Sequence, residues 1–510
     1  MSSESKPRSE ETEGSNSTVD SGNVTPQNRR TAARERLQSL VDPGSFCQLG
    51  ADLTDDGGSH AVHDGPKQDG VVIGWGSIDG RTVWLFSQDY AIHGGSVSEV
   101  SARKICRVLD LALRNGNPVI GLHESVGASL NEGLLSVAAE AGVLSKCVNA
   151  SGVIPQISII MGPSVGIAAY QPVMADFTIM LEGSACLFLV GPDAVKESSG
   201  EEASLELLGG AAVHSQRSGI AHLLARTEEE SFQIARRLLS YLPSNNLEDP
   251  PRISQRQDSQ EDSSSLSSIL PKDPDQEYDM LQIVRSVVDD EELFEIQPSW
   301  AANIITGFAR LDGRSVGLVA NQPKQLKGTL DSNACTKASR FVRFCDAFNI
   351  PLLTFVDCPG TLPSREEENN GIIKHASGLL CAYCEATVPK VTLIVRKAYG
   401  SGYLHFCSRH ASDITLAWPS AIISVIGPRG AAKAMSGHEI DRLRGQENRI
   451  AELARQYVEK NTSPSTAVAN GYVDNVIKPQ ETRDWLIKAL ESTLNKRVTK
   501  PAKKHGTFPL

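Results

Sequence analysis

Ile157-Ser-Ile-Ile-Met-Gly-Pro-Ser-Val-Gly-Ile-Ala-Ala-Tyr170 is the stretch on which the fold turns. Its opening, Ile157 to Met161, is an apolar-rich run of the kind that forms a buried parallel strand, and Gly162-Pro163 is expected to break it. Gly166 follows, then small apolar residues able to open a helix. A strand that turns over glycine into a helix start leaves backbone N–H groups unpaired at the positive end of the helix dipole. Two such groups side by side can hold a developing oxyanion. Taken alone, the stretch also reads as a plain strand-to-helix turn of an α/β domain.

The pattern occurs twice. Val388-Pro-Lys-Val-Thr-Leu-Ile-Val-Arg-Lys-Ala-Tyr-Gly-Ser-Gly-Tyr403 repeats it, with Pro389 standing to Pro155 and Gly400 to Gly166, both 234 residues on. Residues 74–83 match residues 307–316, and residues 104–127 match residues 337–360, both 233 residues on; Pro118 then matches Pro351 and Glu124 matches Asp357. Gly191-Pro192 and Lys196 match Gly427-Pro428 and Lys433. A spacing this long is a duplication of a whole domain, not a solenoid period. Each copy carries its own N–H-presenting turn.

Composition agrees with a globular α/β protein. The 510 residues suffice for two or three domains with real cores, and 40% hydrophobic with 22% charged residues is ordinary. No run approaches the roughly eighteen apolar residues needed to span a bilayer, and the N-terminus has no signal-like apolar core, so a cytoplasmic protein without a membrane role is expected. The formal net charge of −11 argues against a nucleic-acid-binding surface. Of ten cysteines only Cys381 and Cys384 form a CxxC, with no second pair and no strand–CxxC–helix context, so reduced structural thiols and no metal are expected.

Residues 1–28 are polar and expected to be disordered. The first domain is placed at 29–245, a flexible linker at 246–278 and the second domain at 279–510. Within the first, residues 30–40 read as a short basic helix, and Asp79-Gly80 as a hairpin turn between two strands. Gly74 and Gly76 are therefore no dinucleotide loop, since a hairpin and not a helix follows them. Residues 101–115 form an amphipathic helix stopped at Asn115-Gly116. The strand Val119 to His123 runs into a loop at Glu124 to Gly133, at the strand end where open α/β folds place ligands. A further helix, Ser231 to Leu242, closes the copy.

Several blocks are similar to a known family: Arg34-Glu-Arg-Leu with Asp42-Pro-Gly-Ser-Phe46, Phe86-Ser-Gln-Asp89, Ser151-Gly-Val-Ile-Pro-Gln, Leu239-Ser-Tyr-Leu-Pro-Ser-Asn-Asn246, Phe341-Val-Arg-Phe-Cys-Asp-Ala-Phe-Asn-Ile-Pro351, Glu385-Ala-Thr-Val-Pro-Lys390 and Lys503-Lys-His-Gly506. Together they resemble the carboxyltransferase (β) subunits of biotin-dependent acyl-CoA carboxylases, of the propionyl- and acetyl-CoA type, from about residue 30 to the end. The resemblance implies two tandem crotonase-like β/α spiral domains. It also implies a homo-hexamer built as a trimer of dimers, with sites between the N-half of one subunit and the C-half of another. Carboxybiotin would arrive on a separate biotin carboxylase/biotin carrier (α) subunit, because the chain has no Ala-Met-Lys-Met motif and no ATP-binding Gly-rich loop. Both reacting partners develop an oxyanion in such a transfer, which would account for two turns and for the lack of a Ser-His-Asp triad.

By the same resemblance Gly166 and Ile167 face the acyl-CoA carbonyl, and Ser401 and Gly402, with Gly400, face biotin. Gly127, Ala128 and Ser129 belong to the acyl-CoA loop, and Leu404 stands where family members tune acyl length, often with Asp for propionyl; Leu would favour an apolar or longer chain. The chain departs from the family at Ile167, where a second glycine is usual, and at Ser401-Gly402, where Gly-Ala is usual. In the first loop Glu124, Val126, Ser129 and Asn131 replace Asp, Gly, Arg and Gln. A β-branched Ile cannot cheaply adopt φ > 0, so strain is expected at Ile167 if the turn needs it there.

Other residues have blander roles. His123 and His375 read as core or surface histidines, and Glu124 and Asp357 as matched loop braces. The basic tail (Lys496, Arg497, Lys500, Lys503, Lys504) could meet coenzyme A phosphates or a partner subunit, or be a solvated terminus. Two alternatives stand beside a carboxyltransferase. Ser401, Gly402 and Leu404 also suit a biotin-independent acyl-CoA decarboxylase or acyl-transfer enzyme. Val126, Ser129 and Ile167 also suit a lapsed paralogue that only co-assembles.

Overall fold

A computed structural model describes residues 33–50, 69–253, 266–435 apart from 274, 452, 455–457 and 463–507. The tail expected to be disordered, 1–28, lies outside the described residues.

The duplication appears as two eight-stranded mixed sheets of the same topology. In the first half, helix α1 (Ala33–Leu40) and strand β1 (Cys47–Leu49) precede the hairpin β2 (Val71–Ile78) and β3 (Arg81–Gln88). The hairpin turns on Asp79 (φ 49°) and Gly80 (φ 76°), the pair of left-handed residues that suits the twist of the strands. Then come α2 (Glu99–Asn115), β4 (Val119–Ser125), α3 (Leu134–Ala150) and β5 (Gln156–Val165). A 3-10 turn (Gly166–Ala169), α4 (Tyr170–Met174), β6 (Phe177–Leu181), β7 (Cys186–Phe188), β8 (Leu223–Ala225) and α5 (Glu228–Tyr241) complete it. The second half repeats the order. Strands β9 (Leu293–Ile296), β10 (Ile304–Leu311) and β11 (Arg314–Asn321) lead to α6 (Ser332–Ala347), β12 (Leu352–Cys358) and α7 (Ile372–Glu385). There follow β13 (Lys390–Tyr399), α8 (Ser401–Phe406), β14 (Ile414–Ala417), β15 (Ile422–Ser424) and β16 (Asn475–Val476).

The sheets run β1-β2-β3-β4-β5-β6-β8 with β7 on β5, and β9-β10-β11-β12-β13-β14-β16 with β15 on β13. Each opens with an antiparallel hairpin and continues parallel, because helices cross over between successive strands. Helix α2 shows the local logic. Ser98 and Ser101 close a capping box at its start, and Gly116 (φ 63°) stops it in the left-handed conformation.

Two sequence expectations change. The strand expected to break at Gly162-Pro163 runs on to Val165. There it exchanges β6 for β7 as its neighbour, pairing Pro163 with Cys186. Gly162 is needed for packing and not for turning, since a Cβ there would lie 2.6 Å from the Glu124 carboxylate. In the segment assigned to a linker, Leu266 and Tyr278 are buried in the second-half core, and Arg252 bridges to Arg314.

One hydrophobic cluster is built from both halves. Phe177 of the first half meets Phe344 of the second at 4.6 Å between ring centroids and Phe308 at 5.9 Å, while Tyr241 stacks on Phe294 at 5.8 Å. Phe308 is fully buried, so Phe308→Ala should cost about 3–5 kcal/mol. Chemical denaturation of this variant should show the loss in one transition monitored from both halves; two separated transitions would contradict a shared core.

Candidate active site

The two glycine turns lie at corresponding strand ends. At the end of β5, Gly166 takes φ 61°, and the 3-10 turn and α4 open behind it. Ile167 is not among the residues with positive φ, so the left-handed step falls on the glycine and the strain expected at Ile167 does not arise. Its half-buried side chain packs on the cluster holding Val143, Cys147 and Ala168. Val165, which precedes the turn, caps none of its N–H groups with a side chain. The first of those donors, on Gly166 and Ile167, belong to the turn expected to present them.

The loop bearing the other first-half residues lies against this turn. Gly127 has φ 102°, and a Cβ there would stand 2.9 Å from the Val165 carbonyl oxygen, so only glycine lets the loop approach β5 so closely. The Gly127 carbonyl accepts from the Val97 N–H (2.8 Å), and Ala128 bridges to Val97. The Ser129 N–H donates to the Val97 carbonyl (2.9 Å) and to Ser136 Oγ (3.1 Å), which itself donates to the Val97 carbonyl (2.8 Å). Gly127, Ala128 and Ser129 are thus brought to the Gly166 turn and latched there. Val126 donates its N–H to the Gly94 carbonyl (3.0 Å), and its methyls lie over Gly94.

The second turn follows the same plan with different side chains. Gly400 takes φ 45° and ψ −109° at the end of β13, its N–H donates to the Ser424 carbonyl (2.8 Å), and Ser401 begins α8 without a side-chain cap from Gly400. Gly360 (φ 114°) holds the place of Gly127. Ser401 Oγ accepts from the Thr361 N–H (3.1 Å), so this side chain fastens the facing loop to the turn. Gly402 is pressed onto Cys358; a Cβ there would lie 2.7 Å from its carbonyl oxygen and 2.9 Å from its Cβ. Leu404 is half exposed one turn further along α8.

Glu124 and Asp357 do brace these loops. Arg36 Nη1 donates to Glu124 (2.8 Å) while its other guanidinium nitrogens reach Glu228 (2.6 and 3.1 Å). Asp357 accepts from Arg396 Nε (2.8 Å) and from the Lys397 N–H (3.1 Å). Burial pushes the Asp357 carboxyl above the usual range, against the pull of Arg396 and Lys397. Both carboxylates are engaged in buried pairs.

Other candidates separate from the turns. His123 is fully buried, shares a 3.0 Å hydrogen bond with Ser158 and meets Phe86 edge-on, and burial lowers its pKa to about 3. His375 pairs with Thr336 at 3.1 Å. All ten cysteines are free thiols, and among the described residues no His/Cys/Asp/Glu cluster could hold a metal ion. The basic tail is anchored at the far end of β13: Lys496 donates to the Val388 carbonyl (3.0 Å) and Asp413, Lys500 to the Cys384 carbonyl and Lys503 to Glu385. A ten-residue strand separates it from Gly400, roughly 30 Å, so within this chain its lysines do not serve the turns.

Sequence reasoning missed the loop latch Ser136, the brace Arg36–Glu228, and a cleft of about 640 Å³ between the halves. Asp176 and His222 from one half face Lys337, Arg340 and His375 from the other there. Burial raises Asp176 to about 7 and lowers Lys337 to about 8. It opens near the starts of β5 and β6, away from the turns.

Comparison with known proteins gives one picture. The carboxyl transferase domain family matches residues 24–508. The propionyl-CoA carboxylase carboxyltransferase subunit of Haloferax mediterranei is 44% identical over 94% of this chain and 94% of its own. The methylmalonyl-CoA decarboxylase subunit alpha of Veillonella parvula is also 44% identical, over 94% and 93%. Among solved structures, transcarboxylase 12S with methylmalonyl-coenzyme A and methylmalonic acid bound superposes with a TM-score of 0.90 at 41% identity, over 94% and 93% of the two chains.

The glycines are distinguishable by substitution. Gly166→Ala meets open space, so its cost is the left-handed backbone alone, about 1–2 kcal/mol. Gly402→Ala collides with Cys358 and must shift α8; a displacement of that kind should cost about a hundredfold in kcat/KM while Gly166→Ala retains more activity. Equal losses in steady-state assays of the two variants would overturn this ordering.

Proposed function

The chain belongs to the carboxyl transferase family, and from that premise we propose that it is the carboxyltransferase subunit of a biotin-dependent acyl-CoA carboxylase, moving a carboxyl group between carboxybiotin and the α-carbon of an acyl-CoA. One observation carries the assignment of the site. Two strand ends 234 residues apart each place a left-handed glycine before uncapped N–H groups, Gly166 (φ 61°) and Gly400 (φ 45°), with a second left-handed glycine facing each, Gly127 and Gly360.

Carboxybiotin on a separate carrier polypeptide would supply CO2 by cleavage of its N–carboxyl bond, and the ureido nitrogen so freed would be the base that takes the α-proton. The N–H groups of Gly166 and Ile167 take the thioester oxygen as the α-proton leaves, stabilising the enolate that attacks the carboxyl carbon. Those of Ser401 and Gly402 meet the ureido oxygen, and the close seat of Gly402 on Cys358 keeps that wall flat enough for a ring to approach. Both sets of donors are fixed in the backbone before substrate arrives, so no reorganisation is needed as charge develops. Gly127, Ala128 and Ser129 seat the acyl-CoA against the first turn, and Leu404 offers an apolar surface to the acyl end.

The proposal includes an α subunit carrying biotin and a homo-hexamer, trimer of dimers, in which copies meet over the turns. Exposed apolar side chains flank both, Leu130, Leu134 and Tyr170 in the first half and Ile373, Leu404 and Val425 in the second. The ten free cysteines suit the cytoplasm, the compartment proposed. A second reading, net decarboxylation through the same turns, is favoured by the relative named methylmalonyl-CoA decarboxylase subunit alpha.

The purified chain, given methylmalonyl-CoA with and without free biotin, should lose the carboxyl group only when biotin is present. Loss without biotin, or none across a range of acyl chains, would overturn the assignment. In the same assay Leu404→Asp should shift preference towards shorter acyl groups by about tenfold in kcat/KM, the worth of one or two methylenes in a pocket.

A further inference from the structure

The turns after β5 and β13 match residue for residue at a spacing of 234, yet their hydrogen bonds differ. In the second copy Gly400 leads straight into α8, and the Leu404 N–H donates to the carbonyl four residues back, on Gly400 (3.0 Å). In the first copy the matching N–H, on Tyr170, donates to a carbonyl only three residues back, on Ile167. A 3-10 turn therefore stands where α8 has an α-helical start. The cause is a proline. The α-helical partner of the Ala168 carbonyl would be the N–H of residue 172, and Pro172 has none. Its counterpart in the second copy, Phe406, keeps its N–H.

Ala168 is buried, and a buried carbonyl calls for a donor. Ser164 supplies one. Its hydroxyl donates to the Ala168 carbonyl at 3.1 Å, and the residue is fully buried. Ser164 stands on β5 between Ser125 of β4 and Leu187 of β7. The matching residue of the second copy, Ala398, stands in the same way between Cys358 of β12 and Ile423 of β15 and has no hydroxyl. Serine and proline thus occur together in one copy, and at the matching positions of the other both are missing. The bond from Ser164 to Ala168 encloses Gly166 and Ile167, whose N–H groups are the donors proposed for the acyl side.

We infer that Ser164 is a positioning residue: its hydroxyl replaces the donor that Pro172 lacks, and the closed turn holds the Gly166 and Ile167 N–H groups on the thioester oxygen. This role rests on the carboxyltransferase reading for its chemistry, whereas the tie across the turn does not. A side-chain hydroxyl that caps a backbone carbonyl in this way fixes the local path of the chain without touching substrate. Preorganised donors lose their advantage when the turn that carries them can relax.

The test compares the full chain with Ser164→Ala and with the double variant Ser164→Ala, Pro172→Ala, which returns an N–H to the Ala168 carbonyl. Propionyl-CoA labelled with 13C at the thioester carbonyl is the bound probe, followed by isotope-edited infrared difference spectra. In the parent the carbonyl band should lie below that of the free thioester, and Ser164→Ala should move it back towards the free position. With methylmalonyl-CoA and free biotin, Ser164→Ala should lower kcat about tenfold and leave KM for the CoA ester nearly unchanged. The double variant should recover both the band and kcat. Amide hydrogen exchange of residues 164–174 should speed up in Ser164→Ala, while β12 and β13 exchange as in the parent. A parent-like band and kcat in Ser164→Ala, or a double variant no better than the single one, would overturn the proposal. Absence of turnover and of a band shift in the parent would count against the carboxyltransferase reading, and unchanged exchange in Ser164→Ala would then overturn the tie itself.

Discussion

A backbone N–H can be aimed out of the end of a buried strand only if the chain reverses its handedness there, and an ordinary side chain resists that reversal by about 1–2 kcal/mol. Gly166 and Gly400 satisfy this constraint, and much of the surrounding structure follows from it. The facing loops must come close enough to wall the turns, which places left-handed glycines at Gly127 and Gly360 as well. Strands β5 and β13 must be held rigid to their last residue, and both are flanked by parallel neighbours along their length. A second short strand, β7 or β15, then grips the end where the first neighbour has stopped.

The loops beside the turns are held by charge, and the arrangement is economical in the same way twice. Glu124 and Asp357 occupy matching strand ends, and each is paired with a buried arginine, Arg36 and Arg396. The arginines come from different places: Arg36 from α1, Arg396 from the strand carrying the turn itself. Arg396 also donates to the Gln276 carbonyl (2.9 Å), tying the segment between the halves to the second turn. Removing one member of such a pair leaves a buried charge with fewer partners, so these contacts act more through what their loss would cost than through net stabilisation.

Much of this was legible in the amino-acid order because the constraints fall on residues with few substitutes. The repeat was visible through glycines and prolines, the first hairpin through Asp79-Gly80, and helix α2 through its period and its Gly116 stop. What was not legible depended on a distant partner. Gly162-Pro163 reads as a strand break, yet the glycine answers to the Glu124 side chain lying over it. Leu266 and Tyr278 sit in a polar stretch whose composition says linker, and only the second-half core reveals why they are apolar. Glu140 has the look of a solvated helix residue among alanines. Its burial follows from how α2, α3 and α4 meet, which no local pattern contains.

The two turns have diverged in a manner that their geometry makes intelligible. Each needs its donors fixed, and each fixes them differently. The first uses bulk: Ile167, one residue past the left-handed glycine, anchors the turn by packing into the cluster beneath α3. Because φ is negative there, a β-branched residue adds contact without strain, and the family's second glycine is dispensable at that position. The second uses a hydrogen bond: Ser401 Oγ takes the Thr361 N–H, and Gly402 keeps the small residue one place later, where Cys358 leaves no room. A packed wall suits the thioester oxygen proposed for the first turn. A hydrogen-bonded wall suits the biotin ring proposed for the second turn. Departures from the family pattern at Ile167 and Ser401 are thus compatible with the two oxyanion sites proposed, because the positive φ of each turn falls on Gly166 and Gly400 and not on the residue that follows.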